Sequence, residues 1–252
     1  MLPFFVNIDE RNPLLDVTFD GVRILDKDIV SAKPLIKIML NDENKSLLLN
    51  DTALFELHLA SPSNLNSPVR IPIDGTICKF YPAVIESNKN EAYLEYRPEL
   101  KEDGIYKLIV KAKDNSDNKA GNFDRYEVNF TIDNTPGITH LLNYPNPFST
   151  STAFVFTLTG SQIPSQFKIQ ILTVTGKVVK EITKEELGPL HIGRNITQYK
   201  WDGRDQYGQL LGNGVYLYRV ITHINGEKLE HRANKNVDKF FKEGFGKMYI
   251  MR

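Results

Sequence analysis

A cysteine nucleophile needs a histidine base beside it and a cleft that lowers the thiol's pKa. This 252-residue chain holds one cysteine, Cys78, and five histidines, His58, His140, His191, His223 and His231. The atoms for such a pair are present, but their setting is wrong. Cys78 stands in the run from Ile77 to Phe80, which reads as a strand, and there a free thiol serves as a small buried hydrophobe. A single cysteine also excludes an internal disulfide and a cysteine zinc site. His58 and His223 fall inside strand patterns, as surface or packing residues. Neither Glu95 with Glu99 nor Asp202 with Asp205 is paired in a way that separates them from turn builders and solvated faces. No catalytic residue is assigned, and the chain reads as non-enzymatic.

Oxygen-rich loops offer a second chemistry. Asp42, Glu43 and Asn44 form one cluster and Asp114, Asp117 and Asn118 another, as loops at the ends of β-sandwiches do when they bind calcium. Such clusters also arise for conformational reasons alone, and no twelve-residue calcium loop is present. No metal ligand is assigned and no cofactor is implied. Tyr81, Tyr93 and Tyr96 could supply a sugar-binding platform, although a strand face explains them equally well. Nucleic acid is set aside, because no basic stripe is interleaved with stacking aromatics and no helix could enter a groove.

Hydrophobic residues at 41% and charged ones at 25% are those of a folded globular protein and exclude a disordered, collagenous or coiled-coil chain. No apolar run is long enough for a membrane helix, and Met1 to Pro13 lacks the basic start and apolar run of a signal peptide. The length predicts two domains. The 31 basic and 31 acidic residues cancel overall but not locally. Residues 1–137 hold 16 Lys and Arg against 22 Asp and Glu, net −6, leaving 15 against 9, net +6, for residues 138–252. Attraction between the halves, a basic patch for an acidic partner, or plain solvated surface would each produce that split.

The elements that must position these residues are strands. Short β-rich runs alternate with a period of two and recur between Asn, Asp, Gly and Pro clusters. The spacing predicts strands at Leu15–Phe19, Leu35–Leu40, Phe55–Leu59, Ile77–Tyr81, Ala92–Tyr96, Ile105–Lys113 and Tyr126–Ile132. Asn134 to Gly137 forms a turn cluster where the charge reverses, which places the domain boundary there, with domains at 1–135 and 138–252. Further strands are expected at Ala153–Thr159, Phe167–Thr173, Lys177–Ile182, Thr197–Trp201, Val215–Ile224 and Lys247–Met251. Asn225 and Gly226 suit a tight hairpin turn, and Val237–Glu243 a short helix. The fold class is all-β, two tandem sandwiches.

Two groups of residues carry resemblances. Glu102 to Tyr106, with Leu108 where antibody domains carry a cysteine, resembles the tyrosine corner of immunoglobulin-like domains, and implies that the Tyr106 hydroxyl bonds nearby backbone. The second half carries an ordered series: Tyr144, Pro145, Asn146, Pro147 and Phe148; Ile171 to Val178; Trp201, Asp202 and Gly203; Asp205 to Gly208; Gly212 to Arg219, with Gly214, Val215 and Tyr216; and Lys247 to Arg252. Together these resemble the C-terminal sorting domain of type IX secretion cargo in the Bacteroidota, and the FlgD-like immunoglobulin fold. Each element also has a purely architectural reading: Pro145 and Pro147 as a leading extended segment, Trp201 as core, Asp202, Gly203, Tyr207 and Gly208 as tight turns.

The first half, from Asp16 to Leu25 and Ile29 to Pro34, together with Phe148 to Gly160, resembles the region downstream of the gingipain-type cysteine peptidase domain in PorU-like sortase proteins. The resemblance implies a C-terminal, non-catalytic module of a secreted or outer-surface protein. Its partners would be the type IX secretion machinery and an upstream peptidase domain of the same polypeptide, with no nucleic acid and no membrane-spanning segment. The stretch from Lys228 to Lys242 is longer than that family's hairpin and leaves open whether the domain is removed or retained. An adhesion or glycan-binding sandwich is the alternative.

Overall fold

Alternation of apolar and polar side chains folds this chain because successive residues of a strand face opposite sides of its sheet. From Gly104 to Ala112 the sequence GIYKLIVKA buries Tyr106, Leu108, Val110 and Ala112 and turns the residues between them outward. The computed structural model describes residues 9–84, 89–224, 227–228, 241–242 and 244–252. The chain divides into two compact units, Met1–Ile132 and Asp133–Arg252.

The first unit contains β1 (Leu14–Phe19), β2 (Asp28–Ile29), β3 (Ile36–Asp42), β4 (Phe55–Ala60), β5 (Val69–Ile71), β6 (Cys78–Tyr81), β7 (Asn90–Tyr96), β8 (Gly104–Ala112) and β9 (Tyr126–Ile132). One sheet has the order β1-β3-β7-β6 and the other β2-β9-β8-β4-β5, with β2 parallel to β9. Their inner faces enclose a core in which Ile36, Ile38, Leu40, Leu57, Leu94, Leu108 and Phe130 are fully buried. The Tyr106 ring stacks on Phe130 inside this core, and its hydroxyl accepts the Glu102 N–H at 3.3 Å. That is the corner bond implied by the sequence.

The second unit contains β10 (Gly137–Tyr144), β11 (Ala153–Thr159), β12 (Gln166–Thr173), β13 (Val178–Thr183), a one-turn helix α1 (Lys184–Leu187), β14 (Gly193–Ile196), β15 (Gly214–Ile224), β16 (Glu227–Lys228), β17 (Phe241–Lys242) and β18 (Phe245–Ile250). Its sheets are β10-β11-β14 and β13-β12-β15-β18-β17, with β16 paired to β15. Phe154, Phe156, Ile169, Ile171, Trp201, Met248 and Ile250 form the core between them. Both units are immunoglobulin-like β-sandwiches, and the chain is a tandem of the two.

Three local expectations change. Thr197–Trp201 is not a strand: β14 lies before it, and Trp201 makes only an isolated bridge to Thr152. A further strand, β10, begins at Gly137, the last residue of the boundary cluster; its alternation is broken by a bulge between Thr139 and Leu142, with His140 at φ 55°. Consequently Pro145–Pro147 is not a leading extended segment but a bend that follows β10. The Asn225–Gly226 turn lies outside the described residues, as does most of Val237–Glu243, where Phe241–Lys242 is strand rather than helix.

Candidate functional site

The sequence motifs of the second unit are spread over more than a hundred residues, and the fold gathers them around one strand. β15 pairs with β18 along one edge, Val215 opposite Tyr249 and Tyr216 opposite Met248. A strand edge left open presents a row of unpaired backbone groups. The other edge of β18 pairs with β17 at Phe245 and Gly246, and from Lys247 onward it is closed by the bend after β10. The Asn146 side chain acts there as a surrogate peptide group: its Nδ2 donates to the Lys247 carbonyl at 3.0 Å, and its Oδ1 accepts the Tyr249 N–H at 3.0 Å. Phe148 continues the seal with backbone alone, its N–H donating to the Tyr249 carbonyl at 3.0 Å and its carbonyl accepting the Met251 N–H at 2.9 Å. Pro145 and Pro147 contribute no N–H, so the only donors in the bend that reach β18 are the amide side chain and the Phe148 backbone.

Beneath β18 lies an aromatic cluster. The ring of Phe148 packs 5.6 Å from that of Trp201, and Tyr216 meets Trp201 edge-on at 6.2 Å. Trp201 is fully buried and its indole N–H donates to the Arg204 carbonyl at 2.8 Å, so both its apolar body and its polar edge are satisfied. The Tyr216 hydroxyl donates to the Gly212 carbonyl at 3.0 Å.

Past the end of β18, Arg252 is held on all sides. Its guanidinium donates to three backbone carbonyls, Asp202 at 2.6 Å, Leu211 at 2.8 Å and Ser149 at 3.1 Å, and the Asn213 amide brackets its backbone with two bonds of 3.0 Å. Gly203 has φ 77°, and a Cβ built on it would run into the Arg252 guanidinium. Conformation calls for glycine here, and a Cβ would in addition displace the guanidinium from its carbonyl bonds. Asp202 uses its carboxylate on Arg204, bonding its N–H and Nε at 3.1 Å each. Gly214, at φ 151°, starts β15.

Of these motif residues, Asn146, Phe148, Trp201, Asp202, Gly203, Gly214, Val215, Tyr216, Lys247 and Arg252 belong to, pair with or flank β18 in this way. Tyr144 ends β10 with its ring 71% exposed, and Pro145 gives its carbonyl to Thr152 Oγ1 at 2.8 Å. Asn213 lay within the Gly212–Arg219 motif without a role of its own, and sequence reasoning missed Ser149 and Leu211. An Asn among turn residues is a weak signal, and a carbonyl acceptor leaves none.

The other sequence candidates separate. Cys78 is fully buried, and burial together with the Asp74 carboxylate pushes its thiol up to about 11, the reverse of an activated nucleophile. Tyr96, paired opposite Cys78, is core rather than platform. Tyr93 stacks on Tyr81 at 4.5 Å and carries the Lys37 ammonium 4.1 Å from its ring centre, so it too is already engaged. The two oxygen-rich loops, by contrast, do meet: carboxylate oxygens of Asp9, Asp42 and Asp114 lie within 4.8 Å of one another at one end of the first sandwich. Asp42 and Asp114 are buried. Burial, and then the charges of Asp9 and Asp114, hold the Asp42 carboxyl above the usual carboxylate range. These oxygens could hold a divalent cation. They are also spoken for within the fold: Asp114 accepts from Ser116 and Asn118, Asp42 from Asn44, and Asp9 from Asn44 Nδ2.

No family model and no curated protein matches the chain. Among solved structures, dimeric latent PorU from Porphyromonas gingivalis is similar at 16% identity and a TM-score of 0.36, over 99% of this chain and 21% of that one. This chain thus spans about a fifth of the PorU chain it matches. The BSP domain of a biofilm-associated protein is similar at 9% identity and a TM-score of 0.27, over 89% of this chain and 29% of that one. The FN1–FN3 domains of chicken CNTN1 are 9% identical with a TM-score of 0.26, over 95% of this chain and 66% of that one.

Proposed function

We propose that this chain is a non-catalytic pair of immunoglobulin-like modules from a secreted or outer-surface bacterial protein. In this reading the second module is the part that the type IX secretion machinery recognises. The first module is a spacer or docking unit, and a gingipain-type peptidase domain of the same polypeptide lies upstream. One observation carries the reading: many of the motif residues that resemble a type IX sorting domain, from three separate segments of the chain, assemble around a single strand, β18. A partner could then read β18 only as part of the folded module. Because Asn146 and Phe148 occupy its outer edge, strand addition there is blocked, and recognition uses side chains displayed on the folded surface, such as Tyr249 and Val215, 42% and 37% exposed.

The test is delivery. The whole chain is fused behind a signal peptide and a reporter in a cell competent for type IX secretion. The reporter is expected at the surface or in the medium, and retention of an intact, folded fusion in the periplasm would refute the sorting role.

A further inference from the structure

Away from β18, the first unit has a cavity of about 370 Å³ between the start of β4, the end of β8 and the loop before β9. Its floor is apolar, built by Leu54, Phe55 and Ala112, all buried. Four cations stand around it, Lys111, Lys113, Lys119 and Arg125, against two carboxylates, Glu56 and Asp124. The lining is therefore positive in a unit that is negative overall. Each cation has a carboxylate neighbour, but these are half-exposed surface pairs that a competing anion can replace. Arg125 is the least neutralised, because Glu127 at 3.0 Å is shared with Lys107 at 3.1 Å.

Phe123 stands over this cavity with its ring 98% exposed. Its backbone is in the left-handed region at φ 52°, and Asp124 follows at φ 64°, conformations that residues with a Cβ seldom adopt. Gly121, at φ 89°, lets the loop close, since a Cβ there would come within 2.7 Å of the Arg125 carbonyl. Backbone strain that holds a large apolar ring in water is a mark of a binding site, not of packing.

We infer that this cavity binds an acidic saccharide, a uronate-type sugar whose ring lies against Phe123 and whose carboxylate meets Arg125 and the lysines. Charge complementarity selects an anion. An extended acidic peptide has no free β8 edge to join, because at the cavity Ala112 and Lys111 pair with Phe55 and Glu56 on one side, while on the other the Ala120 N–H donates to the Ala112 carbonyl at 2.9 Å and Lys113 bridges Lys119. A nucleotide phosphate offers acceptors only and would face Glu56 and Asp124, whereas sugar hydroxyls donate to those carboxylates. The cavity volume suits one or two sugar rings.

Calorimetric titration of the full chain with a short oligogalacturonate tests this. Binding is expected, weakening several-fold between about 20 and 200 mM NaCl as a charge contact must. Phe123→Ala and Arg125→Gln should each lower affinity at least about tenfold with the melting temperature unchanged, and Phe123→Tyr should restore it. No heat with the oligouronate, affinity retained in both variants, or equal or tighter binding of adenosine monophosphate or a short polyglutamate would each overturn the assignment.

Discussion

At the scale of single residues, the account rests on what burial does to ionisable groups. Asp42 is a buried carboxyl beside two others, and its raised pKa means the folded state favours the protonated form. The sign follows: with the folded value above the unfolded one, ionised Asp42 opposes folding at neutral pH, and that opposition fades as pH falls through the folded pKa. Asp42→Asn should therefore raise the melting temperature at pH 7, with the gain shrinking at acid pH. A lower melting temperature at pH 7 would show that the Asp42 charge is needed. Cys78 gives the complementary case. With its thiol at about 11 and no exposure, it should resist a maleimide at pH 8 in the native protein and react once the chain is unfolded; fast native labelling would contradict the packing described.

The element scale turns on β18. Asn146 supplies both a donor and an acceptor to its open edge, each bond contributing about 1 kcal/mol. Asn146→Ala should cost about 1–3 kcal/mol and speed hydrogen exchange at Tyr249, while β8 and β9 of the other unit stay protected. Unchanged exchange at Tyr249 would mean that the seal is not the side chain. Arg252→Lys should fail to restore what Arg252→Ala removes, because three carbonyls in different directions need the guanidinium fork. Most strands here were legible because one face is core: β8 and β9 read straight from their alternation. Others were not. The bulge in β10 shifts its parity, so Ile138 and Leu141 both point inward three residues apart. β14 inverts the rule by burying Asn195, whose amide bonds His191 and Gly193, and exposing Ile196 at 61%. The site was half visible in the same way: the motif residues could be singled out by type, but that Asn146 stands in for a strand is a fact of tertiary structure.

For the whole molecule, the division between Ile132 and Asp133 adjoins the Asn134–Gly137 cluster. Asp133 and Thr135 belong to the second unit, their carbonyls accepting Gly160 N–H at 2.8 Å and Thr159 Oγ1 at 2.6 Å. A chain begun at Ile138 should then melt lower than one begun at Asp133, and equal melting would remove those two bonds from the account. Sequence charge alone could not have found this, since the reversal from −6 to +6 is a property of whole segments and fixes no single residue. The proposed function makes these modules part of a larger exported protein. It is tested most directly by an immunoblot of the native organism, fractionated into cytoplasm, periplasm, surface and medium, with antibody to this chain. A band far above 28.8 kDa is expected at the surface or in the medium. A band of 28.8 kDa confined to the cytoplasm would contradict it.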